Sequence, residues 1–190
     1  MKIFYRISFC LSVVFLTTGC SGQLSFDELT KDIPTNIDTR AYSSDSMNYS
    51  IFQLRLMDLI DKDYSDTLNV EMFVDTSMVF EEGTNILTVI EFSSSETKLE
   101  EAWKKFISNR LLIEDFRIYS EGITDFLSMP AYYEHSVCTI SKKNIETINF
   151  LFRSDSLSLY FLSIQVPTDK DYPKNMEKLL YSAKTFTITK

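Results

Sequence analysis

The second half of the chain is built from short apolar segments in which side chains alternate with a period of two. These segments span residues 116–120, 132–140, 146–152 and 157–166, and polar turns join the last three. A period of two is typical of β-strands, and connections this short join antiparallel neighbours. The last segment is apolar on both faces, which predicts a strand in the middle of a sheet that is covered on both sides.

Helices and further strands complete this pattern. We expect strands at 68–75, 84–92 and 186–188 and helices at 98–112 and 172–182. The first helix is the clearest element, because its apolar residues recur every three or four positions and include Trp103, the only tryptophan. An antiparallel sheet with helices on its faces belongs to the α+β class, which is our fold prediction.

Residues 46–61 fit two kinds of element. Phe52, Leu56, Leu59 and Ile60 recur at helical spacing, whereas Phe52, Leu54 and Leu56 also alternate with polar residues as they would in a strand. The helical spacing covers more of the segment. We therefore expect a helix here, with a strand as the alternative.

The start of the chain has the pattern of a secretory signal. Lys2 and Arg6 precede an apolar stretch at 7–16, and a small residue, Gly19, stands before Cys20. The apolar stretch is about half as long as a membrane-spanning helix of roughly twenty residues. It therefore predicts a signal peptide over residues 1–19 that is removed by cleavage between Gly19 and Cys20.

The residues around the expected cleavage point resemble the lipobox of bacterial lipoproteins. In that family the cysteine after the cut receives a diacylglyceryl group and becomes the mature N-terminus. Cys20 is therefore the expected lipidation site, with a chance cysteine after an ordinary signal as the alternative. Two or more acyl chains hold a protein stably on a bilayer. Ser21 follows the cysteine, and by resemblance to lipoprotein sorting rules it suggests an outer membrane, with the domain facing the periplasm.

Residues 20–45 contain few large apolar side chains and include Pro34 and several short polar residues. We expect a flexible tether here, with one turn of helix near 26–29, followed by a single folded domain over 46–190. The full chain has a formal net charge of −8, and loss of the signal would remove two cations and no acids. This charge disfavours nucleic acid and anionic lipid headgroups as partners and favours a basic one.

The sequence offers little for catalysis or metal binding. His135 is the only histidine, and Cys138 stands three residues after it on a predicted strand. Residues three apart on a strand point to opposite faces, so we do not expect a Cys–His pair. The acidic segment 61–66 lacks the later glycine and glutamate of a calcium-binding loop, and we expect a solvated loop there. We therefore predict no catalytic residue, no metal site and no cofactor.

The order of elements from residue 84 onward resembles the PsbP-like α/β/α sandwich, a family that includes many small bacterial lipoproteins. The resemblance is carried by the segments 85–89, 96–102, 129–132, 160–162 and 182–186. Members of the family bind proteins or ions and are not generally enzymes. The resemblance implies a fold and assigns no functional residue.

These observations favour a non-enzymatic, lipid-anchored module that binds a protein partner in the cell envelope. One alternative is a protective, immunity-type protein that captures a basic toxin or an envelope-active enzyme, which the acidic charge motivates. Another is a hydrolase whose carboxylate chemistry does not match a known motif. The partner would bind at one end or one face of the sheet.

Overall fold

The computed structural model describes residues 25–65, 67–77, 84–107, 115–140, 142–154 and 158–189. Within them lie three helices and ten strands. The helices are α1 (Phe26–Thr30), α2 (Leu99–Ile107) and α3 (Tyr172–Lys184). The strands are β1 (Thr39–Ser44), β2 (Tyr49–Leu54), β3 (Met57–Tyr64), β4 (Leu68–Asp75), β5 (Ile86–Ser93), β6 (Arg117–Phe126), β7 (Met129–Ile140), β8 (Lys143–Arg153), β9 (Ser158–Pro167) and β10 (Thr187–Ile188).

The strands form two antiparallel sheets. The larger has seven strands in the order β3-β4-β5-β9-β8-β7-β6, and the smaller has the order β1-β2-β10. As expected, β9 lies in the middle of the larger sheet, between β5 and β8. Hairpins join β6 to β7, β7 to β8 and β8 to β9. The α+β prediction is therefore confirmed.

The main hydrophobic core lies between one face of the seven-stranded sheet and a layer formed by α1, α3 and the small sheet. Tyr160, Leu162, Ile164 and Val166 of β9 point into it, together with Leu179 of α3. These side chains are at most 1 % exposed, and their removal from water is the main source of stability on this side.

Helix α2 covers the opposite face of the same sheet. Trp103 is fully buried there, with its ring centroid 5.3 Å from that of Tyr132 and 5.8 Å from that of Phe161. Leu159 and Phe161 alternate along β9 with the residues of the main core, so both faces of this strand are buried. The three layers are therefore helix, sheet, and a mixed layer of helices and strands.

The helix expected over 46–61 is wrong. The segment forms β2 and β3, which belong to different sheets and are separated by a short turn at Arg55 and Leu56. Pairing decides the outcome, because β2 bonds to β1 and β3 bonds to β4 along their whole lengths. Ile51 and Gln53 are buried on β2 whereas Phe52 is 47 % exposed, which is an alternation that a helix could not provide.

The flexible tether expected up to residue 45 is also wrong from residue 25 onward. Ser25 caps α1 in a capping box with Glu28, and Phe26 is fully buried against Phe126 and Phe150 at ring distances of 4.6 and 5.1 Å. Strand β1 then pairs with β2 over six residues. The described part of the folded domain therefore begins at Ser25, and not at residue 46, because a single large aromatic anchors this otherwise polar segment.

Candidate functional site

The expected cleavage and lipidation residues, Gly19 and Cys20, lie outside the described residues. Cleavage and lipidation therefore stay predictions. Within the described residues, no helix is both long enough and apolar enough to span a membrane.

His135 and Cys138 have separate surroundings. His135 Nε2 lies 2.5 Å from Glu146 Oε1, and its ring meets that of Tyr119 edge-on at 5.1 Å. The same Glu146 is also a hydrogen-bond partner of Tyr172, and burial together with this carboxylate raises the pKa of Tyr172 well above its ordinary value of 10.0. Cys138 is buried and forms no disulfide with another described residue, and strand alternation places it on the other face of β7. The structure therefore does not bring this histidine and cysteine together.

Residues 61–64 of the acidic segment belong to strand β3 and do not form the loop that was expected. Asp61 and Asp63 lie on β3, at one edge of the seven-stranded sheet, while Asp66 is outside the described residues. Across the ranges that the structure describes, no group of three or more His, Cys, Asp or Glu residues is placed to hold a metal ion.

Besides the β6 edge, with its exposed Ile118, Tyr119 and Ile123, the described seven-stranded sheet has a second exposed apolar edge, the β3 edge. We define it as strand β3 with the flanking residues Leu56 and Leu68. Leu56, Ile60, Tyr64 and Leu68 are 57, 48, 41 and 38 % exposed, although each is a large hydrophobic residue. As the end strand of its sheet, β3 also leaves one row of backbone N–H and C=O groups without a strand partner among the described elements. Such an edge can accept an additional strand.

The β3 edge is also acidic. Asp58 forms an ion pair with Arg40 at 2.7 Å, whereas Asp61 and Asp63 form no ion pair with any other described residue. Lys62 stands between these two carboxylates in the sequence. Charges on an edge strand discourage pairing with a second copy of the same edge. They remain compatible with a partner strand that carries Lys or Arg.

A buried carboxylate lies directly behind this edge. Glu71 of β4 is fully buried, and its Oε1 accepts hydrogen bonds from Tyr42 (3.0 Å), Ser44 (2.8 Å) and Tyr64. Its Oε2 accepts one from Tyr49. These donors come from β1, β2 and β3, so this tyrosine–glutamate cluster joins the small sheet to the seven-stranded sheet.

Burial is the main reason that the pKa values of the three cluster tyrosines are raised, and the neighbouring Glu71 carboxylate raises them further. The phenols therefore keep their protons and donate to Glu71 throughout the physiological pH range. Tyr64 belongs both to this cluster and to the β3 edge. The edge is thus held in place by a buried hydrogen-bond network.

The sequence reading missed this cluster. The sequence carries little signal for it, because the face of β4 that holds Glu71 also holds Asn69 and Asp75, and Phe73 is its one apolar residue. A carboxylate at such a position requires donors. The sequence does not indicate which residues supply them, since the donors lie 7 to 29 positions away along the chain.

A second buried polar group crosses the α2-side face of the large sheet. The strand registers place Glu134, Asn149, Ser163 and Thr88 in one transverse row, all at most 8 % exposed. Glu134 Oε1 accepts hydrogen bonds from Ser136 Oγ (2.8 Å) and Asn149 Nδ2 (3.1 Å). The row is buried, so it is a structural layer rather than an accessible site.

No protein-family model and no curated protein sequence matches the chain. Several solved structures do. Cyanobacterial PsbP (CyanoP) from Synechocystis is 13 % identical with a TM-score of 0.55, over 80 % of this chain and 92 % of that one. The Saccharomyces cerevisiae Ran-binding protein Mog1p is 11 % identical with a TM-score of 0.50, over 80 and 96 %.

LpqN, a protein involved in cell envelope biogenesis of Mycobacterium tuberculosis, is 10 % identical with a TM-score of 0.50, over 88 % of this chain and 99 % of that one. A Bacteroides thetaiotaomicron structure is 9 % identical with a TM-score of 0.53 over 81 % of this chain, which spans half of that protein. Similarities at such low identity show the fold alone. The chain therefore has the PsbP- and Mog1-like α+β fold, as the resemblance in the sequence implied.

Proposed function

We propose that this protein is a lipoprotein, anchored through Cys20 to the outer membrane, whose periplasm-facing domain binds a protein partner without catalysing a reaction. The exposed, acidic and apolar β3 edge carries the proposal. Proteins of this fold include a Ran-binding protein and a protein involved in cell envelope biogenesis, which supports a binding role in the envelope.

The β3 edge combines three properties that suit protein binding. Its backbone can hydrogen-bond to an added strand, its apolar side chains can be buried by a partner, and its carboxylates favour a partner with basic side chains. The tyrosine–glutamate cluster fixes Tyr64 before binding, which reduces the entropy that must be lost on association.

The anchor is tested by metabolic labelling with radioactive palmitate in the cells that produce the protein. Label should enter the wild type and be lost in Cys20→Ala. Labelling of Cys20→Ser would serve as a second control, because serine preserves the size of the residue without the thiol. Retention of label in either variant would refute lipidation at Cys20.

The binding surface is tested by photo-crosslinking in intact cells. A photoreactive amino acid at Ile60 or Tyr64 should capture one and the same partner, while the same probe at Lys104, on the exposed side of α2, should not. Ile60→Ser should then weaken binding of that partner, because it removes an exposed apolar side chain that the partner would bury. Equal capture from all three positions would contradict a role for the β3 edge.

A second candidate function is capture of a strongly basic toxin or envelope enzyme, which the net charge of −8 favours, together with Asp61 and Asp63, for which no ion pair is found among the described residues. In that case binding should weaken steeply between low and high salt and should be lost in the double variant Asp61→Lys/Asp63→Lys. Binding that is insensitive to salt would exclude this candidate. The hydrolase alternative would be excluded if the protein turned over none of a broad panel of hydrolase substrates.

A further inference from the structure

We infer that the face formed by α1 and α3 lies against the bilayer surface, so that α2 points away from it. The α1–α3 face comprises α1, the segment 31–38 and the exposed side of α3. This inference rests on the proposed lipid anchor, and it adds an orientation that the anchor alone does not specify.

The first argument is the length of chain between the anchor and the fold. Four residues lie between Cys20 and Ser25, where the capping box fixes the start of α1. The five Cα–Cα steps from Cys20 to Ser25 span at most about 18 Å, a distance that is reached when the chain is fully extended. Ser25 therefore stays within that distance of the lipid headgroups, and the domain cannot stand away from the bilayer.

The second argument is the side of the sheet on which the chain enters. Phe26 belongs to the main core, on the α3 side of the seven-stranded sheet, and α1 packs against α3. Lys184 Nζ donates a hydrogen bond of 3.3 Å to the carbonyl oxygen of Thr30, which further joins the two helices. The anchor thus draws this layer toward the membrane, with the sheet and α2 behind it.

The third argument is the shape and charge of the α1–α3 face. An open groove of about 330 Å³ runs between the segment 34–38 and α3, where Lys174 and Lys178 line it one helical turn apart together with the acids Asp38 and Glu177. Lys170 lies just before α3, and Lys184 is the last residue of the helix. Lysines on a surface close to anionic headgroups each contribute about 1 kcal/mol of attraction.

The same face carries the acids Asp27, Glu28, Asp32 and Asp38, which together with Glu177 keep its total charge near neutral. Headgroup attraction alone is therefore weak, and we expect the unlipidated domain not to bind vesicles. The short connection to the anchor determines the orientation, and the lysines of α3 reinforce it.

The test uses the full lipidated protein in vesicles whose headgroups carry an energy-transfer acceptor. A fluorescent donor is attached to a single introduced cysteine, at Lys174→Cys on α3 or at Lys104→Cys on α2, in a Cys138→Ser background. The two helices lie on opposite faces of the sheet and are separated by two layer spacings of roughly 10 Å each. Donor emission should therefore be quenched several-fold more at position 174 than at position 104.

A lengthened connection provides the matched control. An insertion of about 20 Gly and Ser residues after Ser21 adds a mean end-to-end distance of roughly 25 Å and should abolish the difference between the two positions. Equal quenching without the insertion, or stronger quenching at position 104, would overturn the orientation while palmitate labelling still showed the anchor. Loss of labelling and of vesicle attachment would instead refute the anchor itself, and the orientation with it.

Discussion

Removal of one hydroxyl from the tyrosine–glutamate cluster should cost very different amounts of stability at two positions. Tyr49→Phe and Tyr64→Phe delete the same chemical group, and both hydroxyls donate to the Glu71 carboxylate. Tyr49 is fully buried, and its hydroxyl is the donor found for Oε2 among the described residues. Tyr64 is 41 % exposed and shares Oε1 with Tyr42 and Ser44.

The difference can be estimated from these partners. A hydrogen bond to a charged group contributes about 1.5–3 kcal/mol, and a buried acceptor left without a donor loses that amount in full. We therefore expect Tyr49→Phe to lower the free energy of unfolding by about 2–3 kcal/mol. For Tyr64→Phe we expect less than about 1 kcal/mol, because Oε1 keeps two donors and water can reach the site.

Urea unfolding followed by fluorescence measures both variants. Trp103 is the only tryptophan, and its full burial on α2 makes it a sensitive probe of unfolding. Glu71→Gln should be at least as destabilising as Tyr49→Phe, since its amide group cannot accept at the position of the second oxygen. Equal losses for Tyr49→Phe and Tyr64→Phe, or a larger loss for Tyr64→Phe, would refute the argument that burial and acceptor sharing determine the cost.

Three further predictions concern the same core and its connections. The folded-state pKa of Tyr49 is raised, so the contribution of this residue to stability is complete below the unfolded pKa near 10. Above that pH the contribution is lost by about 1.4 kcal/mol per pH unit. Alkaline unfolding checks this, because the free energy of unfolding should decline less steeply with pH in Tyr49→Phe than in the wild type. Phe26→Ala should lower the free energy of unfolding by about 3–5 kcal/mol and expose 25–38 to proteolysis, whereas a true tether would show no change in either assay. Ser128→Gly should raise the midpoint of thermal unfolding. Ser128 has φ of 66° in the β6–β7 turn, and a non-glycine residue in this conformation lowers the free energy of unfolding by about 1 kcal/mol. An unchanged or lower midpoint would contradict the backbone argument.

The regular elements after residue 67 were predictable because their signals are local. Strand β4 begins and ends where the apolar pattern predicted, and β5, β7, β8, β9 and α3 agree to within a few residues. The segment 46–61 was not predictable in this way, since its hydrophobic spacing fits both a helix and a strand. Its partners, β1 and β4, decide between the two, and neither is identified by the sequence of the segment itself.

The candidate site, too, has features that the sequence shows and features that depend on the tertiary structure. Asp61 and Asp63 are visible in the sequence, but only the sheet order places them on an open edge beside Ile60 and Tyr64. Likewise, Phe26 is one aromatic residue in a polar segment, and its burial against Phe126 and Phe150 depends on residues a hundred or more positions away. Such long-range neighbours leave no trace in local composition.

By itself, the sequence determined the α+β class, the central position of β9 and the expected attachment through Cys20, because each follows from the period, polarity or spacing of adjacent residues. The tertiary structure alone decided that the segment 25–44 is part of the folded domain, that three tyrosines surround Glu71, and that β3 forms an exposed edge. These features depend on which distant strands pair, and pairing is a property of the whole chain: each strand offers similar backbone groups to every candidate neighbour, and the burial of both faces selects one arrangement.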